Sequence, residues 1–271
     1  MQTRRTALIN VMANAATKAG RGLRRAFGEI EKLQVSRKGP ADYVSEADHR
    51  AEKTIFEELQ HARPKFGFMM EESGIVEGAD NSNRWIIDPL DGTLNFLHGL
   101  PHFAISIALE RDREIFAGVI YEPISDQMYW AEKGKGAFLN DNRIRVSTRR
   151  NLDESLFATG IPFAGRDGHK PFLSELENVM AVSAGVRRFG AAALDLAYVA
   201  AGRFEGFWER ELKAWDMAAG IILVREAGGY VSDGDGKNDM LGKGSIIASN
   251  DQLHTPLKKL ISLPTAIDGS P

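Results

Sequence analysis

Carboxylates at the ends of apolar runs are the part of this chain that could do chemistry. Asp88 and Asp91 close the stretch WIIDPLDGT (85–93), with only Pro89 and Leu90 between them. Glu71 and Glu72 follow a second short apolar run, FGFMM, and Asp216 opens a third in AWDMAAG. An unpaired carboxylate is costly to bury. If these groups converge, mutual repulsion raises their pKa values unless cations neutralise them. The chain has no cysteine, and no HExxH pair, so the ligands on offer are oxygens. Oxygen donors favour hard cations: Mg²⁺ first, Mn²⁺ or Ca²⁺ next.

Gly92 and Thr93 follow Asp91 directly. Backbone N–H groups at a helix start bind phosphate, and glycine allows close approach. A phosphate-binding turn beside cation-binding carboxylates suits metal-assisted hydrolysis of a phosphate ester. There the metal lowers the pKa of a water and offsets charge on the transferring group. Each motif alone has a plainer reading. Asp-Pro and Asp-Gly mark ordinary turns, Glu-Glu-Ser is a common surface sequence, and an aspartate at a helix start is commonly an N-cap. Only their joint occurrence favours the chemical reading.

The elements that must position these groups are legible from periodicity. Residues from about 4 to 33 repeat apolar positions at helical spacing. A second helix is expected over 45–61, with Ser45 as N-cap and Asp48 three residues later as an imperfect capping box. FGFMM and WIID read as short buried strands. FAISIALE, EIFAGVIYEP and DQMYWAEKG follow at hairpin spacing and predict an antiparallel sheet. Past 150, helical patterns near 169–182, 192–201, 214–227 and 254–263 alternate with strands near 155–159, 204–208 and 245–249. The organisation predicted is α/β in layers: an N-terminal α+β half over 1–147 with most of the acidic groups, a C-terminal α/β half over 148–265 with Asp216, and a loose tail over 266–271.

The 271 residues carry a formal net charge of −3, so no global basic field recruits nucleic acid. No apolar run reaches the ~18 residues of a membrane span. Arginines precede apolar residues at the start, but Asn10 and Asn14 interrupt the segment, which argues against a secretion signal. The absence of cysteine is compatible with a reducing, cytoplasmic setting.

The joint pattern resembles the inositol monophosphatase family, and within it the bacterial SuhB type. WIIDPLDGTLNFLHGLPHFAISIAL and WDMAAGIILVREAGG are similar to its two signatures. DYVSEADHRAE, EES, GKGAFLNDNRIRVS and RRFGAAALDLAYVAAGRFEGFWE also match in order, and the resemblance covers about 35–250. It implies an α-β-α-β-α sandwich of the sugar-phosphatase type, shared with fructose bisphosphatase. It implies a homodimer and a Mg²⁺-dependent, lithium-sensitive hydrolysis of inositol monophosphate, with two or three ions bound and Mn²⁺ as a substitute.

Carried over by position, Glu71, Asp88, Asp91, Asp216 and the Leu90 carbonyl would be metal ligands. Asp48 and Thr93, with Glu71, would activate water, and the Gly92 and Thr93 amides would hold phosphate. Glu209 and Asp216 would meet inositol hydroxyls in a pocket lined by Gly190, Ala191 and Ala192. Ala191 stands where many relatives carry a hydroxyl residue, and a shorter loop before Asp48 would withdraw Lys38 from the site. Other small monoesters (histidinol phosphate, fructose bisphosphate, a nucleotide-derived phosphate) are rival substrates within the class. A partnership in transcription antitermination or RNA processing is the rival function outside it.

Three other signals are weaker. DGDGKND, from Asp233 to Asp239, lacks the glycine position and terminal Glu of a calcium loop. Pro101 breaks the helix that would align His98 with His102. Arg21, Arg24 and Arg25 read as a solvated face, to which Arg187 and Arg188 could add.

Overall fold

The computed structural model describes residues 5–29, 35–39 and 42–262, with 36–39 and 42–44 described by their backbone alone. The side chain of Lys38 and the expected tail 266–271 therefore lie outside the described residues.

The chain opens with α1 (Ala7–Phe27). Thr6 caps it by accepting from the Ile9 N–H, and its inward face is mostly small or aliphatic: Ile9, Met12, Ala15, Ala16, Ala19 and Leu23. Gly28 closes it, its N–H reaching back to the carbonyls of Arg24 and Arg25, and the last part of the expected helix, 30–33, lies outside the described residues. A hairpin, β1 (Val35–Gly39) and β2 (Asp42–Ser45), leads into α2 (Glu46–Ala62). The capping box at α2 is present: the Asp48 carboxylate accepts from the Ser45 N–H at 2.9 Å, and Ser45 Oγ accepts from the Ala47 N–H.

The main sheet then forms from β3 (Phe66–Met70), β4 (Gly74–Val76) and β5 (Asp80–Asp91), the short helix α3 (Thr93–Leu97), and β6 (Ala104–Arg111), β7 (Glu114–Glu122), β8 (Gln127–Glu132), β9 (Gly136–Leu139) and β10 (Asn142–Ile144). Its order is β10-β9-β8-β7-β6-β5-β3-β4. β6, β7 and β8 pair antiparallel as their spacing predicts, while β3 runs parallel to β5. The WIID strand is the end of a longer one. The polar front of β5 is a strand because β3 and β6 pair with it, not because of its own pattern.

The rest of the chain adds β11 (Leu156–Thr159), α4 (His169–Met180), β12 (Gly185–Arg187), α5 (Ala192–Ala200), β13 (Gly206–Arg210), α6 (Ala214–Glu226), β14 (Tyr230–Ser232), α7 (Met240–Lys243), β15 (Ser245–Ser249) and α8 (Asp251–Leu260). The second sheet has the order β12-β11-β13-β15-β14. The shortest strands carry no periodic signal in the sequence; pairing alone makes them strands.

The layers follow from the contacts. α1 and α2 cover one face of the large sheet, α5 and α6 lie between the sheets, and α4 and α8 cover the far face of the small sheet. This is the expected α-β-α-β-α sandwich. The middle layer explains why α6 is apolar all round, since a helix buried on every side has no polar face to show. Met217 to Val224 are all buried. No described helix is long and apolar enough to cross a membrane.

Candidate active site

In a regular strand, residues three apart point to opposite faces. Asp88 and Asp91 escape this because β5 is irregular between them. Asp88 pairs with Ser106 and Asp91 with Ala104, so three steps on β5 meet two on β6. Such a bulge adds one residue and re-aims side chains, and Pro89 suits it by having no N–H to lose. Both aspartates are buried, and the charge of Asp91 helps to raise the pKa of Asp88.

The other carboxylates arrive from separate elements. Glu71 follows β3, where its N–H donates to the Ile87 carbonyl at 3.2 Å, and its side chain shares a hydrogen bond with Asp88. Asp216 sits in the first turn of α6. It accepts from the Lys213 N–H at 2.8 Å, so Lys213 holds the N-cap position and Asp216 supplies the returning bond of the capping box. Ser106 Oγ donates to the Trp215 carbonyl, which ties the start of α6 to β6 beside Asp88. Asp91 accepts from the Ala193 N–H at the start of α5, at 2.8 Å.

The electrostatics match this gathering. Burial lifts Asp88 well above the usual carboxylate range, with Glu71, Asp91 and Asp216 adding repulsion. Asp91 is raised well above its ordinary value by burial, then by Asp216, against the Ala193 hydrogen bond. Asp216 is pushed up to about 6 by burial, against the Lys213 N–H and the charges of Arg166 and Lys213. Among the described residues, no set of three or more His, Asp or Glu side chains is drawn together closely enough to hold a metal ion. The two observations differ because charge repulsion falls off slowly with distance, whereas ligation requires ~2 Å contacts. The structure gathers the carboxylates without closing them on a point, and several now accept hydrogen bonds from backbone N–H groups. The donor set suits hard divalent cations: carboxylates that repel one another, and the Leu90 carbonyl.

Next to this cluster stands the Gly92–Thr93 turn, which the sequence offers as a phosphate site. Gly92, at φ 91°, is the N-cap of α3, and no side chain caps that helix. A Cβ at Gly92 would lie 3.1 Å from the His102 carbonyl oxygen and 3.3 Å from Ala191 Cβ. Thr93 Oγ1 lies 3.2 Å from Asp48 Oδ1 and 3.0 Å from the Leu90 carbonyl oxygen. Burial raises the pKa of Asp48 against the hydrogen bonds from Ser45 and Thr93.

Glu209 lies on β13 and is half-buried. Burial and then Asp216 push it up to about 8, while Arg166 and Arg188 oppose the rise. Gly190, Ala191 and Ala192 lead into α5, and a Cβ at Gly190 would fall 2.5 Å from Arg188 Nη1. Asp195, on α5, is buried and feels both Glu209 and Asp91. One of its oxygens finds no partner among the described residues.

Sequence reasoning passed over Arg166 and Asp195. The loop GIPFAGRDGH, rich in glycine and following a strand, was the available signal for Arg166, because binding residues concentrate on such loops. Asp195 gave none, being one polar residue in an apolar helix. The weaker signals have structural settings. His102 packs against the rings of Phe189 and Tyr198, and burial lowers it to about 4. Asp233 accepts from the Asp235 and Lys237 N–H groups within a turn.

A five-layer sandwich of this kind is the fold of the inositol monophosphatase and SuhB structures, within the layered sugar phosphatases. The chain belongs to the inositol monophosphatase family, whose model matches residues 5–263. The inositol-1-monophosphatase of Mesorhizobium japonicum is 60% identical over 260 residues, covering 96% of this chain and 98% of that protein. Nus factor SuhB of Pseudomonas aeruginosa is 44% identical over 247 residues, covering 90% and 91%. The crystal structure of the extragenic suppressor protein suhB from Bartonella henselae superposes with a TM-score of 0.93 at 59% identity, covering 95% of this chain and 99% of that one.

Proposed function

We propose that this chain is an inositol phosphatase that hydrolyses myo-inositol monophosphate with Mg²⁺. The observation that carries the reading is the gathering of Glu71, Asp88, Asp91 and Asp216, from three separate parts of the fold and near enough for the other three to raise the pKa of Asp88, beside the start of α3, which no side chain caps. The family is generally metal-dependent. Glu71, Asp88, Asp91, Asp216 and the Leu90 carbonyl would hold two or three Mg²⁺ ions, with Mn²⁺ as a substitute. When bound, the cations would lower the pKa of a water and offset charge on the transferring phosphoryl group.

The protein's own part is orientation and proton transfer. The Gly92 and Thr93 N–H groups receive the phosphoryl oxygens. The Thr93 hydroxyl and Asp48 hold the attacking water and take its proton as the new P–O bond forms and the ester P–O bond breaks. Burial favours this role, since a raised pKa makes Asp48 a better base. Glu209 and Asp216 accept hydrogen bonds from the ring hydroxyls, with Gly190, Ala191 and Ala192 as the lining. The leaving alkoxide takes a proton from solvent to give inositol, and Asp48 returns the proton it took from the attacking water to solvent. Lithium inhibits at millimolar concentration in this reading, because its single charge cannot replace Mg²⁺.

A phosphate-release screen tests the assignment, with myo-inositol monophosphate, histidinol phosphate, fructose bisphosphate, nucleotide phosphates and p-nitrophenyl phosphate as substrates. Inositol monophosphate should give the highest kcat/KM. Fructose bisphosphate should be poor, because Glu209 accepts from polyol hydroxyls and offers no positive charge to a second phosphate. A higher value for another monoester would reassign the substrate while leaving the hydrolytic chemistry intact.

A second reading rests on the Pseudomonas relative's name, Nus factor SuhB: a cytoplasmic homodimer that also binds a partner in transcription or RNA processing. The two readings are compatible, and an Asp88→Asn protein separates them, since it would lose hydrolysis and keep a partner surface.

A further inference from the structure

The strands β11 and β13 run side by side and parallel, with Thr159 beside Trp208. Thr159 Oγ1 lies 2.8 Å from the Trp208 carbonyl oxygen and 3.1 Å from the Gly160 carbonyl oxygen. One step further along, Gly160 faces Glu209. An ideal Cβ built on Gly160 would fall 1.9 Å from Glu209 Cδ, 1.9 Å from Oε1 and 2.3 Å from Oε2. The whole carboxylate therefore occupies the space that any other residue at 160 would fill.

Backbone conformation does not require this glycine, because Gly160 is not among the residues of positive φ. Its neighbour requires it. The three nearest atoms all belong to the end of one flexible side chain and none to the backbone. A methyl group at 160 would therefore displace the Glu209 carboxylate and leave β11 paired on both sides with β12 and β13. Phe207 and Trp208, just before it on β13, are buried, and Arg166, Arg188 and Asp216 act on Glu209 as charges.

We propose that Gly160 is a positioning residue for substrate selection: lacking a Cβ, it lets the Glu209 carboxylate lie flat against the end of β11, at the one height from which it meets a polyol. This rests on the reading of Glu209 as the polyol contact.

The test compares kcat/KM for myo-inositol monophosphate and for p-nitrophenyl phosphate, which has no polyol, in the Mg²⁺-loaded enzyme. The proteins are wild type, Gly160→Ala, Glu209→Gln and the double variant. The ratio of the two values should fall about tenfold in Gly160→Ala, mostly through KM, as one misplaced hydrogen bond to a charged group implies. The double variant should fall no further than Glu209→Gln alone, because both changes remove one contact. A ratio in Gly160→Ala equal to wild type, with Glu209→Gln lowered, overturns the role of Gly160 and spares that of Glu209. An unchanged ratio in Glu209→Gln overturns both. Losses that add in the double variant show that Gly160 acts elsewhere. If Gly160→Ala alone fails to fold, Gly160→Ala/Glu209→Ala should restore the thermal midpoint by vacating the space. Failure to restore it shows that the clash is not with Glu209 and overturns the proposal.

Discussion

The Thr93 hydroxyl meets the Asp48 carboxylate at 3.2 Å across 45 residues of chain. The contact joins the first turn of α2 to the first turn of α3. The same hydroxyl lies 3.0 Å from the Leu90 carbonyl oxygen. In the proposed mechanism, the attacking water would sit between Asp48 and the turn that would receive phosphate.

Thr93→Ala keeps the backbone N–H and loses the hydroxyl. General acid–base assistance is worth ~10²–10⁴-fold, so kcat should fall within that range while KM changes little. Steady-state kinetics on inositol monophosphate decide it. A change confined to KM would move Thr93 from water activation to substrate binding.

Asp88→Asn keeps the side-chain shape and removes a charge from the centre of the cluster. Activity should fall at least ~100-fold at saturating Mg²⁺, the scale of a lost major electrostatic contribution. The fold should survive, since Asp88 is repelled by Glu71, Asp91 and Asp216. Near-normal turnover would remove Asp88 from the mechanism.

Without metal, stability should fall as pH rises. The folded-state pKa values of Asp88, Asp91, Asp216 and Glu209 all lie above their ordinary values, at about 6 for Asp216 and about 8 for Glu209. The folded state thus holds more protons than the unfolded one. Its advantage is complete below about pH 4 and is lost as pH climbs through the folded-state values, to about pH 8. Urea midpoints in a chelator should decline across that window, and Asp88→Asn should flatten the decline. A metal-free midpoint that rises with pH would contradict the acidic cluster.

Leu223 is fully buried in the core around α6, between the sheets. Leu223→Ala should cost ~2–5 kcal/mol, read as a lower urea midpoint with an unchanged slope. A cost well under this range would mean that the middle layer repacks around the cavity.

Glu209→Gln should lower discrimination between inositol monophosphate and an aryl phosphate by about tenfold, the scale of a hydrogen bond to a charged group. Equal losses on both substrates would show that Glu209 supports the site as a whole.

The residue order alone determined the long helices, the hairpin strands β6 to β8 and the identities of the acidic groups. These are local matters: apolar spacing sets which face a helix buries, and Ser45 with Asp48 writes a cap within one turn. The rest depended on partners distant in the chain. An i, i+3 spacing argues that Asp88 and Asp91 diverge, and only pairing with β6 introduces the extra residue that turns them together. The polar front of β5 became a strand through β3 and β6, and strands of three residues exist only because a neighbour supplies hydrogen bonds. Asp216 looked like an N-cap, but the chain entering α6 gave that position to Lys213. Nothing in the local sequence singles out Gly160, and the space where its Cβ would stand is filled by a carboxylate from another strand. Periodicity reports what a segment buries, whereas the meeting of two side chains depends on how the layers stack.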